Sequence, residues 1–121
     1  MHQKPIETGW LEVICGSMFC GKTEELLRRL RRARIAKLSV IAFKPKIDNR
    51  YSKNMIVSHD KNSLDSIAIE STKTLFDMGL EYDVVGIDEA QFFSDNLLTA
   101  CKNLAKNKTR VIVAGLDTDY K

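Results

Sequence analysis

Residues Gly16-Ser17-Met18-Phe19-Cys20-Gly21-Lys22-Thr23 follow the spacing G-x-x-x-x-G-K-[ST], between an apolar run and an amphipathic one. No other feature restricts the fold as much. The two glycines let the chain wrap so that backbone N–H groups point inward, and a helix starting there adds about half a positive charge at its N-terminus. Together they hold an anion. Lys22 can then reach the β- and γ-phosphates of a nucleotide, and Thr23 offers a hydroxyl to Mg²⁺. The motif needs a strand before it and a helix after it, and the chain supplies both. Trp10–Cys15 (WLEVIC) reads as a strand and Lys22 to about Lys37 as a helix.

The rest of the chain continues the alternation. Leu38–Phe43 reads as a second strand, 44–63 as polar and irregular with a short strand at Met55–Val57, and Ile67–Ile69 as another strand. Ser71 or Thr72 caps a short helix reaching Met78, with Gly79 as its terminator. Tyr82–Asp88 is a buried-type strand, Ser94 or Asp95 opens a helix to about Lys106, and Arg110–Leu116 is the last strand. Apolar strands alternating with helices imply crossover connections, hence an α/β fold with a mostly parallel sheet and helices on both faces. One domain accounts for 121 residues, with 1–8 as an N-terminal tail and 9–121 as the core.

Composition narrows the classes. Hydrophobic residues make up 44% and charged residues 29%, an ordinary globular balance that argues against disorder. No segment approaches the roughly 20 apolar residues of a membrane span, and the first ten residues lack a secretory apolar region, so a cytoplasmic chain is expected. Cys15, Cys20 and Cys101 form no CxxC pair, which disfavours both a disulfide framework and zinc ligation by these residues. The net charge is +3. Its densest run is Arg28, Arg29, Arg31, Arg32 and Arg34, a candidate polyanion surface. A 100° helical repeat instead gathers Leu26, Leu27, Leu30 and Ala33 on one stripe, sets Arg28 and Arg32 opposite, and leaves Arg31 on the flank. Glu24 and Glu25 stand four residues before Arg28 and Arg29, in the order that favours exposed ion pairs. A solvated helix face is therefore the preferred reading over nucleic acid. Arg34 falls near the apolar stripe, as a subunit contact or a snorkelling stem would.

A phosphate loop binds nucleotide, but transfer also needs an acid to hold the metal at the end of a neighbouring strand. Val84-Val85-Gly86-Ile87-Asp88-Glu89 supplies one: Asp88 ends the apolar run and can hold Mg²⁺, directly or through water. Glu89, one residue on, projects differently and can accept a proton from an attacking hydroxyl or water. These parts serve two classes equally. One is an ATPase that activates water, using the arginine face for DNA; the other is a kinase that activates a small-molecule hydroxyl.

The segments GSMFCGKT, KPKIDNRY, SHD, GIDEAQFF and GLDTDYK, in this order and spacing, resemble the cytosolic-type thymidine kinases, whose core is RecA-like. The resemblance runs from about Gly9 to the last residue. It implies transfer of the γ-phosphate of ATP to the 5′-hydroxyl of thymidine, in nucleotide salvage. It also implies a nucleotide seat on Gly16 to Thr23 with Asp88, Glu89, Ala90 and Gln91, and Mg²⁺ held through Thr23 and Asp88. Glu89 would be the base, assisted by Lys22 and by Arg50, which follows Asp48 in KPKIDNRY and whose fixed charge suits developing phosphoryl oxygens. The thymine would lie against Met18, Phe92, Leu116 and Tyr120; by residue type alone Met18 and Phe92 read as core. His59 aligns in SHD without an assigned mechanism and reads as a loop residue.

Family members continue well beyond GLDTDYK, into a zinc site and a lasso loop whose main chain meets the thymine edge. The resemblance therefore implies an N-terminal portion that holds most of the ATP site and half of the nucleoside site. Ligands of parallel sheets bind at the carboxyl ends of strands, and Tyr120 and Lys121 follow just such an end. It also implies a homo-oligomer, commonly a tetramer, with the last strand exposed and in need of cover.

Overall fold

A computed structural model describes residues 10–14, 21–46, 55–56, 64–94 and 96–115, with backbone alone at 55–56 and 64–65. Five parallel strands form the main sheet: β1 (Leu11–Ile14), β2 (Val40–Pro45), β5 (Ile67–Ile69), β6 (Val84–Ile87) and β7 (Arg110–Ala114). Their order is β1-β7-β6-β2-β5, and β3 (Met55–Ile56) pairs with β4 (Leu64–Asp65) in a separate antiparallel ladder. Helix α1 (Lys22–Ile35) follows β1, α2 (Thr72–Gly79) follows β5, and α3 (Leu97–Lys106) precedes β7.

Side-chain alternation along the strands divides the core in two. Val111 and Val113 of β7 pack with Leu75 of α2 and with Leu97, Cys101 and Leu104 of α3. Ile112 and Ala114 face the other way, onto Leu26, Leu27, Leu30 and Ala33 of α1. The predicted α1 stripe is thus the buried one, none of its four residues more than 3% exposed. Strand β6 is buried along its whole length, as a central parallel strand covered on both faces must be.

Several boundaries differ from expectation for identifiable reasons. Helix α1 stops at Ile35 because Lys37 takes a left-handed φ of 71° and the Leu38 N–H donates back to the Ala33 carbonyl at 3.1 Å. Lys108 (φ 70°) and the Thr109 N–H to Leu104 carbonyl bond, also 3.1 Å, close α3 in the same way. Glycine or asparagine usually takes this position, so a lysine there carries no sequence signal. Ser71 caps α2 as expected, its hydroxyl accepting from the Lys73 and Thr74 N–H groups at 3.1 and 3.3 Å. Gly79 is not a left-handed terminator: it is the last residue of α2, where an added Cβ would stand 3.1 Å from Val85 and 3.3 Å from Leu104. The ladder strand β4 has no counterpart in the sequence reading. Arg34 is exposed.

The last strand is not exposed. It inserts between β1 and β6, and Val111 to Ala114 are all 0% exposed; among the described strands β1 and β5 are the edges. Strand order depends on how crossovers wind, which local pattern does not encode.

Two of the five arginines in the run from Arg28 to Arg34, Arg28 and Arg29, are held by carboxylates. Glu25 accepts from both Arg28 (2.8 Å) and Arg29 (2.6 Å), and Arg29 also reaches Glu12 on β1 at 2.9 Å. Glu12 accepts from Arg110 at 2.6 Å as well, and Arg110 lies over the Trp10 ring, 5.6 Å from its centroid. Partial burial opposes charge on Glu12, but bonds from Arg110, Trp10 and Arg29 outweigh it and lower its pKa below the usual 4.5. A carboxyl with a depressed folded-state pKa stabilises above its unfolded value, and that contribution fades as pH falls through the carboxylate range. Glu12→Ala leaves two partly buried guanidinium groups side by side, so denaturant unfolding near neutral pH should show a loss of about 1–3 kcal/mol. The loss should shrink as pH falls below 4.5.

Candidate phosphoryl-transfer site

The sheet brings together two stretches far apart in sequence, at the carboxyl ends of its central strands. Gly21 precedes α1 in a left-handed conformation, φ 38°, that a side chain would strain; no atom crowds the place of its missing Cβ, so conformation and not space is what requires glycine. Lys22 and Thr23 then open α1, with the helix N-terminus directed toward the strand ends.

Asp88 follows β6 directly. Its N–H donates to the Phe43 carbonyl at 2.9 Å, which carries the β2–β6 ladder one step past the strand and sets Asp88 beside the end of β2. Its carboxylate faces α1. The Thr23 hydroxyl donates to Oδ1 and Oδ2 at 3.3 and 3.1 Å, and the Glu89 N–H donates to Oδ1 at 2.9 Å. The group is 8% exposed. Burial pushes its pKa up, against the lowering effect of the Glu89 and Thr23 bonds, while Glu89 raises it and Lys44 lowers it through space. A hydroxyl and a buried carboxylate meeting at a helix N-terminus are hard oxygen donors of the kind Mg²⁺ takes, with waters and phosphate oxygens completing its shell. The donor set therefore fits that ion.

Glu89 occupies left-handed space at φ 53° and ψ 44°, a strained conformation for a residue with a Cβ, costing about 1–2 kcal/mol. The Asp88 carboxylate pins its N–H, and its carbonyl accepts from the Phe92 N–H at 3.1 Å, opening a 3₁₀ turn over Ala90–Phe92. Such strain persists where surrounding structure over-determines it, often at functional sites. The surrounding structure is the end of β7. Gly115 has φ 91°, and a Cβ on it would stand 2.5 Å from Gln91 Oε1, 3.0 Å from the Ala90 nitrogen and 3.1 Å from Glu89 Cα. The Glu89 turn thus rests on bare backbone.

Lys22, Thr23, Asp88, Glu89 and Gln91 are therefore gathered at one end of the sheet. Ala90 turns its methyl into the core, 2% exposed. Phe92 is 54% exposed and is not the core residue its type suggests. Gly16, Ser17, Met18, Phe19, Cys20, Arg50, Leu116 and Tyr120 lie outside the described residues, as do Asp48 and His59. Two residues here had no assigned role. Gly115 belongs to GLDTDYK and Lys44 to KPKIDNRY, but only strand adjacency reveals what either touches. Cys101 is buried and free, its thiol pushed up to about 12 by burial, which makes it a core residue without redox character. No described helix is long and apolar enough to cross a membrane.

The family model described as thymidine kinase matches residues 9–121. The chain is 57% identical over 112 residues to a thymidine kinase of Rhodothermus sp. (strain ITI 518), covering 93% of this chain and 53% of the relative. It is 55% identical over 119 residues to one from Bacteroides fragilis, covering 98% and 60%. A third, from Porphyromonas gingivalis, is 52% identical over 120 residues, covering 99% and 59%. The chain thus spans between half and three-fifths of the length of these curated relatives.

Proposed function

Because the chain belongs to the thymidine kinase family, we propose that it is the nucleotide-binding core, residues 9–121, of an ATP:thymidine 5′-phosphotransferase of the cytoplasm. The observation that carries this reading is the Thr23–Asp88 pair, at 3.1 and 3.3 Å, next to the strained Glu89. A metal-holding pair and a base stand one residue apart, at the strand ends where ligands of parallel sheets bind.

Residues 16–23 cradle the triphosphate, backbone N–H groups and the α1 N-terminus carrying most of its charge. Bound Mg²⁺, held by Thr23 and Asp88, would supply neutralising charge across the β- and γ-phosphates. The Glu89 carboxylate takes the proton of the thymidine 5′-hydroxyl as its oxygen forms a bond to the γ-phosphorus and the bond to the β,γ-bridging oxygen breaks. The products are thymidine 5′-monophosphate and ADP. Lys22 and Arg50 offset charge on the transferring oxygens. Met18, Phe92, Leu116 and Tyr120 wall the thymine, a role to which the exposure of Phe92 is suited. Family membership also supports a homotetramer.

ATP turnover by the full polypeptide, compared with thymidine and with duplex DNA, tests this. Thymidine-dependent ADP release is expected, with no response to DNA. Stimulation by DNA alone, falling steeply with salt, would replace the kinase with a DNA-bound ATPase. The engagement of Arg28 and Arg29 with Glu25 and Glu12 argues against that outcome.

A further inference from the structure

Lys44 lies in β2, where alternation gives a side chain one of two faces. Phe43 packs with the α2/α3 side of the core and Ala42 with the α1 side, so Lys44 shares the α1 face with Ala42. On β6 the same alternation sends Val84 to the α1 face and Val85 and Ile87 to the other, which puts Asp88 on the α1 face too. Phe43 pairs with Ile87, and the Asp88 N–H donates to the Phe43 carbonyl at 2.9 Å. Lys44 and Asp88 are thus lateral neighbours at the strand ends, under the first turn of α1. The ammonium is close enough to favour the ionised Asp88 carboxyl.

The Lys44 residue is half-buried, and its side chain makes no hydrogen bond or ion pair with another described residue. The contrast with its fellow cations on this face is direct: Arg29 and Arg110 each meet a carboxylate within 2.9 Å. A partly desolvated ammonium that no described residue hydrogen-bonds carries a free-energy cost that an arriving anion offsets. The strand order indicates which anion. In the order β1-β7-β6-β2-β5, Asp88 follows β6 and β2 lies beyond it, so Lys44 is on the far side of Asp88 from β1, the strand that precedes the loop in sequence. Loop amides and Lys22 would approach the phosphates from the loop side, with Lys22 reaching as far as the γ-phosphate, and Mg²⁺ held by Thr23 and Asp88 would offset part of their charge. The β2 side of the outermost phosphoryl group would then be left to Lys44.

We propose that Lys44 is a substrate-contacting residue whose ammonium binds the terminal phosphoryl group of the nucleoside triphosphate from the β2 side. The proposal rests on the kinase reading for its substrate class, and adds a cation to the transfer site beyond Lys22 and Arg50. A lysine fits because a compact charge with three donors can follow oxygens that move during transfer.

Affinities for ATP and ADP, measured by calorimetry on the full polypeptide with Lys44→Met and Lys44→Arg, test it. Lys44→Met should weaken ATP binding by about 10-fold or more, the loss expected for one charged hydrogen bond, and change ADP affinity by less than about twofold. Lys44→Arg should keep most of the preference for ATP. Equal weakening of both nucleotides, or of neither, overturns the proposal, and the arginine variant supplies the decision should the methionine variant not fold. Wild-type protein that discriminates ATP from ADP through Lys44 yet shows no thymidine-dependent turnover would sink the kinase reading and leave this contact standing.

Discussion

Glu89→Gln should lower thymidine phosphorylation by about 10²- to 10⁴-fold while leaving ATP affinity within about twofold. That range is the usual contribution of a positioned general base. Gln keeps the size, the backbone contacts and the strained turn of Glu89, so the substitution removes proton acceptance together with a negative charge beside Asp88. Steady-state turnover and nucleotide titration separate the two effects. A melting temperature equal to wild type would confirm that the turn over Gly115 has held. Turnover near wild type would move the base to another group, and parallel loss of ATP affinity would make Glu89 a binding residue.

Asp88→Asn should abolish most turnover and yet stabilise the ligand-free protein. The Asp88 carboxyl is buried, and desolvation raises its pKa above the ordinary 3.8. A raised carboxyl pKa means that the folded state holds the proton more tightly than the unfolded state, so stability falls as pH rises from 3.8 through the raised value and stays lower above it. Asn removes that charge and keeps an oxygen to accept from the Thr23 hydroxyl and the Glu89 N–H. Thermal denaturation across pH should show the variant above wild type at neutral pH, with the gap closing in acid, where wild-type Asp88 is protonated. Phosphorylation should drop by about 100-fold or more, the effect of losing several kcal/mol of metal-borne charge stabilisation. Stabilisation of the protein by Mg²⁺ with ATP should largely disappear. A variant less stable than wild type at neutral pH, with unchanged turnover, would assign Asp88 to structure alone.

Much of this was legible in local pattern. The four apolar residues of α1 recur at helical spacing, and all four are core. Ser71 caps α2 through the bonds its residue type suggests. The run from Val84 to Ile87 is uniformly apolar because that strand is covered on both faces, and an acid directly after such a run at a carboxyl end reads as a ligand-facing group. Where local pattern falls short, the cause is tertiary. Lys37 closes α1 in a left-handed conformation two residues past its end at Ile35, Lys108 closes α3 the same way without a glycine to mark it, and Gly79 is no left-handed terminator but a close approach to Val85 and Leu104. Residue type predicts backbone only where the residue chooses its own backbone, and at these positions the neighbours choose it.

By itself the sequence determined helices and strands in an order that requires a parallel sheet, and it set out the proposed parts of the site: a phosphate-loop motif, an acid after a buried strand, and a second acid one residue later. Each follows from composition and spacing over ten or fewer residues. Only the tertiary structure decided how they meet. Placing β7 between β1 and β6 buries the last strand, carries Gly115 beneath Glu89, and holds that residue at a φ of 53° it would not adopt alone. Placing β2 beside β6 sets Lys44 next to Asp88. Both juxtapositions come from strand pairing between residues distant in sequence, settled by the crossovers and by burial of two helical faces together.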